Sequence, residues 1–178
     1  MELLAFHKIS SSITALEISD QRVKTMIDLG KRLGHSVPVL VGDASKNAWW
    51  DKNTFTHILV DAPCSSSGTI RRNPDIKLLL KEKNLPFLQS KQLDMLSSLW
   101  NKLCPGGLMF YATCSLLREE NDLLIHKFLE KKEDVEIVKL NVPKNITNAL
   151  FTDYGCNLLP FDKISDGFFC SLIAKKTI

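Results

Sequence analysis

Short β-prone segments alternate with longer amphipathic segments along most of the chain. The β-prone segments are rich in Val, Ile, Leu and Phe, and most of them end at turn or helix-cap residues. They predict strands at residues 13–18, 37–41, 57–61, 108–112, 135–138 and 168–174. Apolar residues at helical spacing predict helices over residues 20–33, 86–103 and 119–131. This order is typical of an α/β fold with a mostly parallel sheet covered by helices.

Two features set the limits of these elements. Leucines at 88, 93, 96 and 99, together with Trp100, occupy one side of the helix predicted over 86–103, and Pro105-Gly106-Gly107 ends it. Residues 141–163 contain Pro143, Gly155 and Pro160 and show no clear period. We therefore expect 141–163 to be a long surface connection within the same domain.

The composition is that of an ordinary folded domain. The 178 residues are 44% hydrophobic and 24% charged, which argues against a disordered or fibrous chain and suits one domain over residues 1–178. No run reaches the roughly 20 apolar residues that span a bilayer. Residues 1–8 also lack the basic region and cleavage site of a signal peptide. We expect a cytoplasmic protein without a membrane partner.

The charge pattern permits an anionic partner but does not require one. The net charge is +3, and the basic residues gather in one part of the chain. This basic cluster comprises Arg71, Arg72, Lys77, Lys81 and Lys83. A solvated loop and helix face is the simpler interpretation, and a surface for an anionic partner is the alternative.

The five cysteines are too widely spaced for a structural zinc site. Cys64, Cys104, Cys114, Cys156 and Cys170 form no CxxC pair, and the nearest two are ten positions apart. An odd count without a secretory signal also argues against a disulfide framework. We expect free thiols and no bound metal.

Acids and thiols stand at the ends of the first four predicted strands, where open α/β sheets bind their ligands. Glu17 closes the first strand, Asp43 follows the second, Asp61 and Cys64 follow the third, and Cys114 follows the fourth. Each residue alone has a simpler interpretation as a helix cap, a turn residue or a buried thiol. Such residues at four successive strand ends favour a shared cleft.

Two of these ends carry a cysteine in a similar setting, Asp61-Ala62-Pro63-Cys64-Ser65 and Ala112-Thr113-Cys114-Ser115. The cysteines are 50 positions apart, but they follow neighbouring strands of the predicted sheet, so both thiols could face one substrate. A phosphatase loop needs five residues between its cysteine and its arginine. Here six residues separate Cys64 from Arg71, which excludes that loop.

A series of motifs extends from the first of these cysteines to near the end of the chain. The motifs are Asp61-Ala62-Pro63-Cys64-Ser65-Ser66-Ser67-Gly68-Thr69, Arg71-Arg72-Asn73-Pro74-Asp75, Gln92-Leu93, Leu103-Cys104-Pro105-Gly106-Gly107, Tyr111-Ala112-Thr113-Cys114-Ser115, Glu119-Glu120-Asn121, Leu158-Leu159-Pro160 and Asp166-Gly167-Phe168-Phe169. In residue types and in order they resemble the RsmB (Sun) and NSUN group of RNA cytosine-C5 methyltransferases. The run that begins at Arg71 looks most like the bacterial 16S rRNA enzymes.

The resemblance implies a Rossmann-like class I fold and methylation of C5 of a cytosine in RNA, with 16S rRNA as the expected substrate. A thiolate that adds at C6 makes C5 nucleophilic enough to take up a methyl group. The resemblance assigns this nucleophile to Cys114, assistance in product release to Cys64, and a hydrogen bond near N3 of the base to Asp61. A free thiol has a pKa of about 8.5, and the sequence does not identify the group that ionises Cys114.

The same resemblance implies S-adenosylmethionine as the cofactor. Glu17 resembles the acid that binds the ribose hydroxyls, Asp43 resembles the residue that contacts the adenine amino group, and Asp61 is also assigned to the cofactor site. Basic residues that follow the first cysteine motif are implied as contacts to RNA phosphates. These residues are Arg71, Arg72 and Lys77.

The chain departs from the family pattern before Glu17. The family carries a glycine-rich cofactor loop after its first strand, whereas residues 1–16 contain neither Gly nor Pro. We therefore expect a truncated sheet without the first strand, weak or no binding of S-adenosylmethionine by this chain alone, and a separate N-terminal segment that supplies the loop. The alternative function is that of a catalytically silent fragment, or half of a split enzyme, that acts only as an interaction partner.

Overall fold

The computed structural model describes residues 13–143, 145–160 and 165–177, which fall in two compact units, Met1–Asp51 and Lys52–Ile178. In the first unit, strands β1 (Ala15–Glu17) and β2 (Val39–Val41) pair in parallel, and helix α1 (Asp20–Arg32) connects them. Ser19 caps the start of α1, and Gly34 follows its end with a φ of 73°. The strand–helix–strand order predicted here is confirmed.

The described residues of the second unit form one six-stranded sheet and three helices. The strands are β3 (Phe55–Asp61), β4 (Leu103–Thr113), β5 (Val135–Val138), β6 (Ala149–Phe151), β7 (Cys156–Leu158) and β8 (Phe168–Lys175). The helices are α2 (Ile76–Leu79), α3 (Leu85–Trp100) and α4 (Asp122–Leu129), with 3-10 turns at Ser67–Thr69, Glu82–Asn84 and Arg118–Glu120. The strand order is β3-β4-β8-β7-β6, and β5 also pairs with β8. No helix in the described part of the chain is long and apolar enough to cross a membrane.

The core of the second unit includes side chains of α3, α4 and β4. Leu96, Leu99 and Trp100 of α3 are buried, as the apolar pattern of that helix predicts. Helix α3 contacts both α4 and β4, and the rings of Trp100 and Phe128 meet edge to face at 5.5 Å. Met109 of β4 is fully buried. Burial of an apolar side chain of this size contributes about 1.5–3 kcal/mol, so these helices fix the position of β4.

The expectation of a mostly parallel sheet is wrong for the second unit. Among the described strands only β3 and β4, which α3 connects, pair in parallel there, whereas the β4–β8, β5–β8, β6–β7 and β7–β8 pairs are antiparallel. A parallel pair needs a crossover connection, usually a helix, and consecutive strands without one return in the opposite direction. The segments after β5 contain no such helix in the described residues.

The expectation that 141–163 is only a surface connection is also wrong, because β6 and β7 form a hairpin there. The backbone N–H of Thr152 donates to the carbonyl of Gly155 at 2.9 Å and closes the turn. A Cβ atom at Gly155 would lie 2.3 Å from the carbonyl oxygen of Cys170, so only glycine fits. Both strands are three residues long, which is too short to show a period of two.

The helix predicted over 119–131 is shorter in the structure. It begins as a 3-10 turn, and α4 starts only at Asp122. Asn121 interrupts the helix, with a φ of −115° and a ψ of −107°. Its side chain is buried and bonds to the loop after β4 instead, so local hydrogen bonding overrides helix propensity at this position.

Candidate active site

The thiols of Cys64 and Cys114 lie side by side at one end of the larger sheet. Strands β3 and β4 run parallel, with Asp61 opposite Ala112, and the two cysteine loops follow the same ends of these strands. The two Sγ atoms are 3.3 Å apart, and Sγ of Cys114 is also 3.4 Å from Oγ of Ser66. Both cysteines are half-buried. The adjacency of the thiols predicted from the strand ends is confirmed.

The two thiols differ in their affinity for a proton. The hydrogen bond with Cys64 lowers the pKa of Cys114 to about 6, and the hydrogen bond with Ser66 also lowers it, against the opposing effect of burial. The hydrogen bond with Cys114 and burial both raise the pKa of Cys64. The two shifts run in opposite directions, so within the pair Cys64 holds a proton more tightly than Cys114 does. Cys64 and Ser66 are the side chains whose hydrogen bonds lower the pKa of Cys114.

Asp61 is the last residue of β3, and its side chain is exposed. Its negative charge raises the pKa of Cys114 and so opposes the effect of Cys64. The structure therefore brings Asp61, Cys64 and Cys114 within electrostatic reach of one another. A ligand that neutralised the carboxylate would remove this opposition and lower the pKa of Cys114 further.

Replacing Cys64 with alanine is expected to raise the pKa of Cys114 towards the ordinary value of about 8.5, because the main donor to the thiolate is lost. Alkylation by iodoacetamide reports the thiolate, and mass spectrometry resolves the peptide that contains Cys114. The rate should rise with pH around a midpoint near 6 in the wild-type chain and around a clearly higher midpoint in the variant. Cys104→Ala, at the other end of β4, is the matched control. Equal midpoints in all three proteins would show that another group ionises Cys114.

A buried carboxylate, Glu120, joins the two cysteine loops. Its Oε1 accepts hydrogen bonds from the backbone N–H of Ser65 at 2.9 Å and from the amide of Gln92 at 3.1 Å. Its Oε2 accepts one from the hydroxyl of Ser115 at 2.6 Å. Ser65 and Ser115 directly follow the two cysteines, so one carboxylate fixes both thiol-bearing loops. Sequence reasoning missed this role, although all four residues belong to the motifs that carry the family resemblance.

Three serine hydroxyls and an amide add further links between these loops. Oγ of Ser115 lies 3.2 Å from Oγ of Ser65 and 3.1 Å from Oγ of Ser67. Oγ of Ser67 accepts a hydrogen bond from the N–H of Leu116 at 2.9 Å. The side-chain amide of Asn121 donates to the carbonyl of Ser115 at 2.9 Å. The spacing of the thiols is therefore fixed by many short hydrogen bonds within buried loops.

Gly68 lets two other backbone segments approach it closely. Its N–H donates to the carbonyl of Cys114 at 2.9 Å, and its carbonyl accepts a bond from the N–H of Gly167 at 2.9 Å. A Cβ atom at Gly68 would lie 2.1 Å from the carbonyl oxygen of Gly167. Sequence reasoning assigned no role to this pair of glycines, because the contact joins residues 99 positions apart.

Arg71 and Arg72, two of the predicted phosphate contacts, both bind Asp166. Nε of Arg72 donates to Oδ2 of Asp166 at 2.6 Å, and Nη2 of Arg71 donates to Oδ1 at 3.3 Å. The hydrogen bond from Arg72 is the main reason that the pKa of Asp166 is lowered. Both arginines remain partly exposed. Lys77 on α2 is exposed and has no ion pair with a described residue, and contact of the three cations with RNA stays a prediction.

The two predicted cofactor acids of the first unit are held at the strand ends. Oε1 of Glu17 accepts hydrogen bonds from the N–H of Ser19 at 2.9 Å and from Nη2 of Arg22 at 2.7 Å. Burial raises the pKa of Glu17, but the bonds from Arg22 and Ser19 outweigh this effect and lower it. Oδ1 of Asp43 accepts bonds from the N–H and the hydroxyl of Ser45 at 2.9 and 2.7 Å. The cofactor roles of Glu17 and Asp43 stay predictions.

The fold is that of Rossmann-like class I methyltransferases, as predicted. The crystal structure of PH0851 is 32% identical in sequence and matches with a TM-score of 0.87, over 97% of this chain and 39% of that one. The crystal structure of NSun6 from Pyrococcus horikoshii with SFG matches with a TM-score of 0.85, over 99% of this chain and 44% of that one. At 22% identity, the second likeness shows the fold alone.

The sequence comparisons identify the family. The model of the 16S rRNA methyltransferase RsmB/F family matches residues 2–174. Ribosomal RNA small subunit methyltransferase B of Escherichia fergusonii is 38% identical over 167 residues, which are 93% of this chain and 37% of that protein. The chain therefore belongs to the RsmB/F family of S-adenosylmethionine-dependent methyltransferases, and the predicted family is confirmed. The chain spans little more than a third of the length of the curated relatives that it matches.

Proposed function

We propose that the chain carries the catalytic cysteines of an enzyme that methylates C5 of a cytosine in RNA, with 16S rRNA as the substrate. The observation that supports this most strongly is the Cys64–Cys114 pair, in which the sulfur atoms are 3.3 Å apart and one thiol is acidic. C5 of cytosine is too weak a nucleophile to take up a methyl group until a thiolate adds at C6. Membership of the RsmB/F family supports RNA as the substrate.

Cys114 is the nucleophile in this mechanism. Its thiolate forms a bond to C6 of the base, and the electron pair of the C5–C6 double bond becomes available at C5. A pKa of about 6 keeps Cys114 ionised at pH 7 without a separate base. Once C5 carries the methyl group, its proton passes to water and the C6–S bond breaks. This step restores the double bond and returns an electron pair to Cys114, which leaves as a thiolate.

Cys64 and Asp61 assist at two different places, Cys64 at the sulfur of Cys114 and Asp61 at the ring of the base. The thiol of Cys64 donates a hydrogen bond to the sulfur of Cys114, which stabilises the thiolate as a leaving group and so assists product release. Asp61, with a proton taken up from water as the base binds, hydrogen-bonds N3 and accommodates the negative charge that attack at C6 places on the ring. This proton also reduces the charge with which Asp61 opposes the ionisation of Cys114.

The acids at the strand ends fit a cofactor that contains ribose and adenine. Carboxylate oxygens accept hydrogen bonds from hydroxyl and amino groups. Glu17, at the end of β1, would hold the ribose hydroxyls, and Asp43, after β2, would hold the adenine amino group. The family resemblance also assigns Asp61, at the end of β3, to the cofactor. S-adenosylmethionine, when bound, supplies the methyl group.

The basic residues after Cys64 would hold the RNA backbone. Arg71 and Arg72 share the single carboxylate of Asp166, so this group retains a net positive charge. Lys77 adds a cation that is exposed on α2. Such contacts to phosphate position RNA without reading its sequence, and the target base must leave its stack to reach the thiols.

The proposal predicts hydrogen exchange at C5 of cytosine even without the cofactor. Addition of Cys114 at C6 lets C5 take up a proton from water, and loss of the original hydrogen before elimination exchanges it. A fragment of 16S rRNA with deuterium at C5 of its pyrimidines would be incubated with the chain, digested to nucleosides and analysed by mass spectrometry. We expect loss of deuterium from cytidine but not from uridine. Retention of deuterium in every cytidine would overturn the proposal.

A further inference from the structure

A cavity of about 500 Å³ lies next to the thiol pair in the second unit. Ser66 lines this cavity, and its Oγ is 3.4 Å from Sγ of Cys114. The volume falls within the range of small-molecule sites, about 300–1,000 Å³. Because one hydroxyl both lines the cavity and contacts the nucleophile, an RNA strand that presents a base to Cys114 has its neighbouring nucleotide beside this space.

The walls of the cavity carry the groups that a nucleotide needs. Leu79 and Leu88 supply apolar surface. Leu79 is 65% exposed, so its surface is available to a ligand. Lys81 supplies an exposed cation with no ion pair to a described residue. Asn84 and Asp75 supply hydrogen-bonding groups for the edge of a base. Unstacked bases bind in this way, between apolar side chains and with their edges hydrogen-bonded.

We propose that this cavity binds the nucleotide next to the methylated cytosine in the RNA strand. The base of this nucleotide stacks against Leu79 and Leu88, and its phosphate contacts Lys81. The inference rests on the proposed function, because the cytosine held at Cys114 is what brings its neighbour to the cavity. The identity of the neighbouring base thereby becomes part of substrate selection.

A double-mutant cycle between the chain and the RNA tests the proposal. Short single-stranded RNAs with one cytosine, either intact or with an abasic ribose at one neighbouring position, would be titrated by fluorescence anisotropy. For one of the two neighbouring positions, loss of the base should weaken binding to the wild-type chain roughly tenfold. Leu79→Ser should weaken binding of intact RNA by a similar factor and leave binding of the abasic RNA unchanged. Leu78→Ser is the matched control, since Leu78 is on the same helix, is 83% exposed and does not line the cavity.

The same RNAs distinguish a failure of the proposed nucleotide subsite in the cavity from a failure of the proposed function. Equal affinity of the wild-type chain for intact and abasic RNAs, or additive effects of Leu79→Ser and base loss, would overturn the subsite even if hydrogen exchange at C5 of intact RNA is observed. Absence of exchange at C5 of the intact RNA would overturn the proposed function and this inference with it.

Lys81 provides an independent readout of the phosphate contact. Lys81→Gln should reduce the slope of log affinity against log salt concentration by about 0.7, the value for one lost contact to a single strand. Lys83→Gln makes the same charge change two residues away and outside the cavity, and it should leave the slope unchanged. Equal slopes for the wild-type chain and Lys81→Gln would exclude the phosphate contact.

Discussion

Replacement of Cys114 with serine is expected to reduce hydrogen exchange at C5 of cytosine by roughly 10³-fold or more, the scale of loss when a nucleophile is removed. Serine has nearly the same shape, but its hydroxyl does not ionise near pH 7, so no anion is available to add at C6. The fold should be retained, because the hydrogen bond from the N–H of Gly68 is accepted by the backbone carbonyl of Cys114, which the substitution leaves in place. The measurement is the deuterium content of cytidine after incubation with each protein.

The matched control for this substitution is Cys104→Ser. Cys104 is a half-buried free cysteine near the start of β4. Cys114 directly follows the end of that strand, ten positions later, which is about 30 Å along an extended strand. The account predicts that Cys104→Ser retains wild-type exchange. Full exchange by Cys114→Ser would assign the addition at C6 to another group.

Replacement of Gly68 with alanine is expected to lower the free energy of unfolding by about 3 kcal/mol, the upper part of the range for overpacking a close-packed site. The added Cβ would lie 2.1 Å from the carbonyl oxygen of Gly167 and 2.9 Å from that of Cys114. Both contacts are with backbone, so no side-chain rotation relieves them. The loops must separate, and the hydrogen bond between Gly68 and Cys114 is then lost. Urea unfolding followed by circular dichroism measures the change.

Gly106→Ala separates this steric effect from the general cost of replacing a glycine. Gly106 has a φ of 76°, and the nearest atom to its added Cβ is Oγ1 of Thr177 at 3.5 Å. Its substitution therefore costs only the strain of the left-handed backbone, about 1 kcal/mol. If Gly68→Ala destabilised the chain no more than Gly106→Ala does, the backbones of Gly68 and Gly167 would be farther apart than they are in the structure.

The position of the thiol pair was predictable because it depends on strand ends. Residues that follow neighbouring parallel strands meet at one edge of a sheet, so the places of Cys64 and Cys114 in the sequence were sufficient. The acidity of Cys114 was not predictable, because it depends on a distance of 3.3 Å between two sulfur atoms and on the hydroxyl of Ser66. A sequence pattern predicts which strand ends lie next to each other, but it does not predict which atom donates a hydrogen bond.

The role of Glu120 could not be predicted for a related reason. Its partners, Ser65, Gln92 and Ser115, come from three separate parts of the chain. Helix α3, which carries Gln92, contacts the 3-10 turn that carries Glu120. The hairpin of β6 and β7 was missed because each of its strands has only three residues. Both features depend on contacts between distant segments, and the spacing of hydrophobic residues within one segment does not indicate such contacts.

Covalent trapping tests directly whether the thiolate of Cys114 adds to C6 of cytosine in RNA. In 5-azacytidine a nitrogen replaces C5, which makes C6 more electrophilic, and the normal elimination, which needs loss of a proton from C5, cannot follow. An RNA that carries this base at the target position would be incubated with the chain and resolved on a denaturing gel, and the attached peptide would be mapped by mass spectrometry. We expect a covalent complex attached at Cys114 that persists in Cys64→Ala and is absent from Cys114→Ser. A complex attached at Cys64, or no complex with the wild-type chain, would contradict addition of Cys114 at C6.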